Sequence, residues 1–560
     1  MVADCRLDNR PALCSELSLD SDVTDSAILL DGYRRWGDDL SAHLLGDFAC
    51  VIWDWERQRC LAFRDPLGIK PLFYSRHAGG IAIASDPELI MKLSRPDPKP
   101  DDQAVVEHLL WEYASPHRTF VAAISRLPGG YLRVDGPQTT SPPRRYWTPN
   151  PRPRRFGGVR EVHEEFRRLF FLSVERRLDS SGPVLAHLSG GLDSSLIVCV
   201  ADLIRRQQGK DASWFGTVSE RFPGRAWDER EFIQAVTDQT RIGGTEWDGS
   251  SAEFSDLDRS WLSGPGMAAY RTSGSTGDTE LAVQRGARVM LSGEGGDQLG
   301  ASSGVNDDLA KHHPWSFLVE TLTGTDLSLA RKLARARRLS RACIPTVLRR
   351  AWATSRYRRR LPDWLHPRWG GLAGDIVSTF YPSDFERSFE YDVQRSHWHQ
   401  LTSTRIGTAL DRQQRVGARS GVEFRFPFLD QELVEFVLSI PPQFWPPEVP
   451  ESRLHREAVG DVLPSKIRDR RTKAIFSGAL GERLKRATPQ IDALFHQGEW
   501  LSGRYVLRGQ AQVLLRQALT GADWREHWAE WNWVKAIATL ETWLRTIFGY
   551  APARGEVVDD

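Results

Sequence analysis

The stretch PVLAHLSGGLDSSLIVCVADLIRR, residues 183–206, constrains this chain more than any other. PVLAHL reads as a buried strand, and two glycines follow it. From Ser194 onward Leu196, Ile197, Val200, Leu203 and Ile204 recur at helical spacing on one face. Strand, glycine-rich turn, helix is the opening of a parallel α/β unit. The turn LSGGLDSS (188–195) carries chemistry as well. Gly190 and Gly191 put no Cβ between the backbone and a ligand. The free N–H groups of the loop and first helical turn face an anion, with the helix dipole behind them. Ser189, Ser194 and Ser195 add hydroxyl donors. The pattern is a pyrophosphate cradle, distinct from the Walker A motif GxxxxGK[ST]. Asp193 would repel phosphate on its own. A bridging Mg²⁺ resolves the conflict, because carboxylate plus phosphate oxygens is its usual ligand set.

A second strand, RVML (288–291), ends in another glycine-rich turn, LSGEGGDQLG (291–300). Open parallel sheets bind ligands beyond the carboxyl ends of their strands, so both loops face one site and Asp297 is a second carboxylate for the metal. Beyond about residue 305 the chain reads as largely helical. The region before residue 137 has a different grammar. GDFACVIWDWERQRCLAF (46–63) is two β-runs around a polar ERQR turn, IAIAS (81–85) is a short strand, and the region reads as mainly β. The prolines of 137–155 forbid regular helix and central strand, which makes that stretch a linker. A chain of 560 residues exceeds one core. The expected division is 1–136, 137–155 as linker, and 156–560.

Charge is balanced, Lys+Arg 74 against Asp+Glu 73, and points to neither nucleic acid nor membrane as partner. The arginine-rich stretch 331–360 reads first as a solvated helix face with a basic loop; an acidic-peptide or nucleic-acid site is the other reading. The six cysteines form no CxxC pair. The charged start MVADCRLDNR is no signal peptide, and no apolar run approaches the ~18 residues of a membrane span. A cytoplasmic protein with reduced thiols is expected.

SGGLDSS resembles the motif of the PP-loop ATP pyrophosphatases, and the pair of loops resembles the asparagine synthetase superfamily, whose second loop reads SGEGxDE. DRQQRVGARSGVEFRFPFLD (411–430) and LPSKIRDRRTKAIFSG (463–478) follow the same family, the latter placing its catalytic lysine on Lys473. GDFACVIWD, FRDPLGIKPLFY (63–74) and LPGGYLRV (127–134) are similar to its N-terminal glutaminase-type domain. The resemblance implies an α/β protein: an N-terminal β-rich, glutaminase-like domain of the Ntn type, incomplete, and a C-terminal doubly wound parallel-sheet PP-loop synthetase domain with a large helical portion. It also implies ATP and Mg²⁺. Ser189, Gly190, Gly191, Asp193, Ser194, Ser195, Thr217, Val218, Ser292 and Gly293 would hold the nucleotide, with Asp193 and Asp297 around the metal. Lys473 and Glu294 would be the catalytic pair.

The sequence departs from that family in two places. Glutamine-dependent members begin with an exposed cysteine nucleophile. Here residue 2 is Val2, Cys5 lies in what reads as a strand, and the resemblance starts well inside the family domain, as a misassigned start or a truly short domain would give. The second loop reads GGDQLGASSG, with Gln298 where asparagine synthetases have glutamate and without their FGGY. Both departures resemble amide-forming cyclases, and the GEGGD loop with the arginine-rich C-terminal domain resembles the lasso peptide cyclases. That resemblance implies a macrolactam (isopeptide) product and a ribosomally made core peptide as partner, beside a leader-binding protein and a leader peptidase. Asparagine synthesis from glutamine or ammonia, and a β-lactam-synthetase type of small-molecule reaction, stay open. A tRNA-modifying enzyme and a non-catalytic ATP-binding scaffold are the readings from other classes.

Overall fold

The computed structural model describes residues 1–77, 80–111, 115–136, 141–249, 275–323, 332–333, 336–337, 339, 361–378, 388–446, 453–470, 477–496, 500–520 and 528–548. Lys473 and most of the 331–360 arginines lie outside the described residues.

The N-terminal region builds two antiparallel sheets. In the first, β1 (Val2–Leu7), β2 (Gly46–Asp54), β3 (Arg59–Arg64), β7 (Tyr131–Asp135) and β8 (Arg144–Arg145) lie in that order. The second is β5 (Gly80–Ala84), β4 (Phe73–His77) and β6 (Ser125–Arg126). Alternation along β2 serves two faces at once. Phe48, Cys50 and Ile52 join one core, with Leu13 and Ile28 from helices Arg10–Leu17 and Asp25–Trp36. Ala49 joins Ala62, Leu72 and Leu127 in a thin second core. The expectation of a mainly β region is thus corrected. Those two helices, with Pro87–Ser94 and Asp102–Leu110, share it with the strands, because a sheet buried on both faces needs a covering layer.

The second region contains a five-stranded sheet in the order β11 (Gly244–Asp248), β10 (Phe215–Arg221), β9 (Val184–His187), β12 (Val289–Leu291), β13 (Glu423–Arg425). Every neighbouring pair is parallel. From β9 the chain winds outward through β10 and β11, then returns to the other side of β9 for β12 and β13. The sheet is therefore doubly wound, with its topological switch between β9 and β12. The helix Leu192–Gln207 follows β9 as expected. Its buried residues are not confined to one face: Val198, Cys199 and Ala201 are buried, and Leu203 is only half-buried. A helix covered by its sheet and by neighbouring helices loses its single stripe. No helix of the described residues is long and apolar enough to cross a membrane.

The two regions are locked together. Within 137–155, β8 adds a short edge strand, Trp147 Nε1 donates to Glu435 at 2.9 Å, and Arg154 N donates to the Ser439 carbonyl at 2.8 Å. The described part of the stretch expected as a linker, 141–155, is docked along the second region. Phe73, Val105, Leu109 and Phe120 share a core with Trp531, Ile537 and Trp543 of the last helix. Ionic contacts complete the seam. Arg64 and Arg126 each reach Asp411 at 2.7 Å, and Lys70 reaches Glu423 at 2.6 Å. The FRDPLGIK and DRQQ segments are thus partners across the seam.

Candidate active site

Both glycine-rich loops leave the sheet at the switch point, one after β9 and one after β12. Leu188 N donates to the Val218 carbonyl at 2.9 Å, which ties the first loop to β10. Gly190 then takes φ +74°, a conformation open to glycine and costly for a side chain. A Cβ there would stand 2.9 Å from Phe232 Cβ. Gly191 caps Leu192–Gln207 with no side-chain cap, so the N–H groups of the first turn stay available to an anion.

The serines do more for the loop than the sequence reading assigned them. Ser194 Oγ lies 3.2 Å from the Ser189 N–H that donates to it and 3.1 Å from Ser189 Oγ. Ser189 Oγ accepts from Gly191 N at 3.3 Å. Ser195 Oγ and Thr217 Oγ1 are buried and have no hydrogen-bond partner among the described residues. Buried hydroxyls are normally satisfied, so two orphans beside the loop fit a polar ligand.

The second loop lies against the first. A Cβ at Gly293 would meet Ser194 N at 3.3 Å, and one at Gly296 would fall 2.5 Å from Asp193 Cγ. The structure therefore brings together Ser189, Gly190, Gly191, Asp193, Ser194, Ser195, Ser292, Gly293 and the segment carrying Asp297. Ser292 N is anchored on the Arg425 carbonyl at 2.9 Å, and Ser292 Oγ accepts from Glu294 N at 3.4 Å. Thr217 and Val218 are buried on β10, next to β9. Gly296→Ala is expected to displace the Asp193 carboxylate and lower AMP formation by about 10²-fold, the usual cost of a small misplacement in an active site. Gly407→Ala, whose Cβ would meet nothing within 4 Å, is the control. Equal steady-state AMP rates in the two variants would show that contact between the two loops does not set the Asp193 carboxylate.

Several site residues escaped the sequence reading. His455 is fully buried, with Nε2 2.8 Å from Asp193 Oδ1. Arg453 Nη2 stands 3.9 Å from Asp297 Oδ1. Arg412 is half-buried; loss of water around its guanidinium pushes it down to about 10, while the charge of Glu294 works in the opposite direction. Arg470 reaches the first loop from the 463–478 segment. Arg412 and Arg470 lie inside stretches whose resemblance was already noted, yet residue type alone did not separate them from surface arginines.

Cys5 lies on β1, opposite Phe48 of β2. Burial, then the charges of Asp25 and Asp4, push its thiol up to about 12. A thiol held protonated is a poor nucleophile. Cys5→Ser is expected to change amide synthesis by less than about twofold, as for other substitutions outside a site. Glutamate released from glutamine by the wild type and absent with Cys5→Ser would refute this.

The comparisons agree with the geometry. The family described as asparagine synthase matches residues 165–545, and a glutamine amidotransferase domain matches residues 12–147. The chain belongs to the asparagine synthase family, whose members use ATP. It is 26% identical over 482 residues to a putative glutamine-hydrolyzing asparagine synthetase of Mycobacterium bovis, covering 79% of this chain and 70% of that one. It is also 26% identical over 493 residues to the Penicillium rubens protein called amidase chyE, covering 78% and 69%. Asparagine synthetase 3 of Bacillus subtilis is 25% identical over 505 residues, covering 85% and 75%. The α/β fold, with its amidotransferase-type first domain and parallel-sheet synthetase domain, is as the sequence led us to expect.

Proposed function

We propose that this chain adenylates a carboxylate of its substrate and closes an amide with an amine of the same molecule, giving the macrolactam (isopeptide) of a lasso-type core peptide. The observation that carries the adenylation half is the interlock of the two loops at the switch point, with Gly296 against Asp193. The pyrophosphate of ATP lies on Ser189, Gly190, Gly191, Ser194 and Ser195, and the adenosine lies toward Thr217, Val218, Ser292 and Gly293. A substrate carboxylate oxygen attacks the α-phosphorus, the bond to the bridging oxygen breaks, and pyrophosphate leaves. The amine nitrogen then attacks the acyl carbon, and AMP leaves with the bonding pair. Holding both groups in one pocket removes much of the entropic barrier. Glu294 takes the proton from the amine. Lys473, outside the described residues, is assigned to the charge on phosphate and oxyanion.

Asp193 and Asp297 suit Mg²⁺. Two carboxylates are a normal protein share for an ion that also binds phosphates and water. When bound, it neutralises phosphate charge.

Support for an amine carried by the substrate comes from the far side of the second loop. Gln298 replaces the family glutamate. Burial pushes His397 down to about 4, so its neutral ring donates Nδ1–H to the Gln298 carbonyl at 2.7 Å. His397 itself stacks on Trp445. Helices Val305–His312, Pro314–Thr323 and Asp392–Thr402 follow, outside the segments whose motifs carried the family resemblance. They are the wall we assign to a peptide groove. The partners are then a ribosomal core peptide, a leader-binding protein and a leader peptidase, in the cytoplasm. The names of the relatives favour the second reading, asparagine synthesis from ammonia. One assay separates the two. The chain, ATP and Mg²⁺ are incubated with a leader-free core peptide encoded nearby, and separately with aspartate and ammonia. A peptide lighter by one water, with AMP in equal amount, supports cyclisation; turnover of aspartate alone overturns it.

A further inference from the structure

We infer that Arg470 is a positioning residue that sets the pyrophosphate loop by holding one of its carbonyls. The inference rests on the reading of that loop as a pyrophosphate cradle. Arg470 closes the short segment after helix Ser465–Arg468, and its side chain is largely buried. Its Nη1 donates to the Gly190 carbonyl at 3.1 Å and to the Glu229 carboxylate. Its guanidinium carbon Cζ also lies over Phe232, 3.7 Å from the ring centroid. Glu229 and Phe232 are the two residues a Cβ at Gly190 would strike. Three points therefore fix the Arg470 guanidinium: a carboxylate, an aromatic face and the loop carbonyl.

The consequence follows from the planar trans peptide. The carbonyl of Gly190 and the N–H of Gly191 belong to one rigid unit and point in opposite directions. Pulling the carbonyl toward Arg470 aims that N–H away from it, onto the side where Ser189 Oγ accepts it. Glycine itself does not fix this peptide, since it is equally at ease in other conformations, so the hold comes from Arg470 on one side and Ser189 on the other. A fork with several coplanar donors can serve a carbonyl and a carboxylate together, which the point charge of lysine cannot do while stacked. Arg470 thus acts on the ligand through the loop. It differs in role from an arginine that contacts phosphate.

The test is a double-mutant cycle read by calorimetric binding of inorganic pyrophosphate in the presence of Mg²⁺, with melting temperatures recorded alongside. Arg470→Met and Glu229→Gln are each expected to weaken pyrophosphate about tenfold. The double variant should be no weaker than the worse single, because both remove one device. Arg470→Lys should fall between wild type and Arg470→Met, which keeps the test open if the methionine variant folds poorly. Additive losses would make Arg470 a direct phosphate ligand and overturn the inference. So would a lower melting temperature with unchanged affinity. A wild type that binds no pyrophosphate overturns the cradle and the latch together; one that binds, with additive variants, overturns the latch alone.

Discussion

Asp193→Asn and Asp297→Asn are each expected to reduce pyrophosphate release by at least about 10²–10³-fold, the scale on which removal of a single preorganised electrostatic group is felt. Asparagine keeps the shape of aspartate and removes its charge, so the interlock at Gly296 survives while the attraction for a divalent cation falls. The two variants should not be equivalent. Asp193 is the more enclosed, at 20% side-chain exposure against 41% for Asp297, and it also faces His455 at 2.8 Å. Water replaces a lost ligand more easily at the open position. Asp297→Asn should therefore recover part of its rate at high Mg²⁺, and Asp193→Asn should recover less. The measurement is pyrophosphate release against Mg²⁺ concentration, with circular dichroism to establish folding. Wild-type turnover in either folded variant would remove that carboxylate from the site.

The glycine-rich loops were the most legible part of this chain, because their chemistry is local. A strand, two glycines, an aspartate and two serines are contiguous, and the backbone conformation they require is set by residue type. Strand positions were readable for the same reason: VLAH and VML are short apolar runs ending at polar turns. The meeting of the loops is a property of strand order, and strand order is not local. Only the return of β12 to the free side of β9 creates the switch point. His455 was invisible because it comes more than 250 residues after Asp193, in a stretch whose helical pattern gives no reason to single out one histidine. The helices of the first domain were missed for another reason. Asp25–Trp36 has only Ile28, Leu29 and Gly32 buried, and a stripe that narrow is hard to tell from a polar loop. The seam was missed because a buried arginine and a surface arginine are the same letter. Arg64 and Asp411 are 347 positions apart, and only the fold shows that their charges face each other.

That seam supports the largest stability effect we expect. Asp411 is 2% exposed and receives Arg64 at one oxygen and Arg126 at the other, each at 2.7 Å. Arg64 and Arg126 are 1% and 5% exposed. Asp411→Asn leaves two guanidiniums out of water without their counter-charge. Breaking a buried pair in this way costs about 3–5 kcal/mol. The lower end applies here, since Arg64 also donates to the carbonyls of Lys70, Gly68 and Leu127 and stays hydrogen-bonded. The cost comes from stranding charge, and the pair itself adds little net stability. Replacing all three residues together, Arg64→Met, Arg126→Met and Asp411→Leu, should therefore melt above Asp411→Asn alone. Differential scanning calorimetry of the three proteins decides the matter. A melting temperature for Asp411→Asn within about one degree of wild type would mean that water reaches the seam and screens it. A triple variant less stable than the single would mean that the ionic network itself holds the first domain on the second. Arg412, the next residue on the same helix, feels the charge of Glu294 in the second loop. A loosened seam should therefore also lower the rate of amide formation, through Glu294, at temperatures where the variant is still folded.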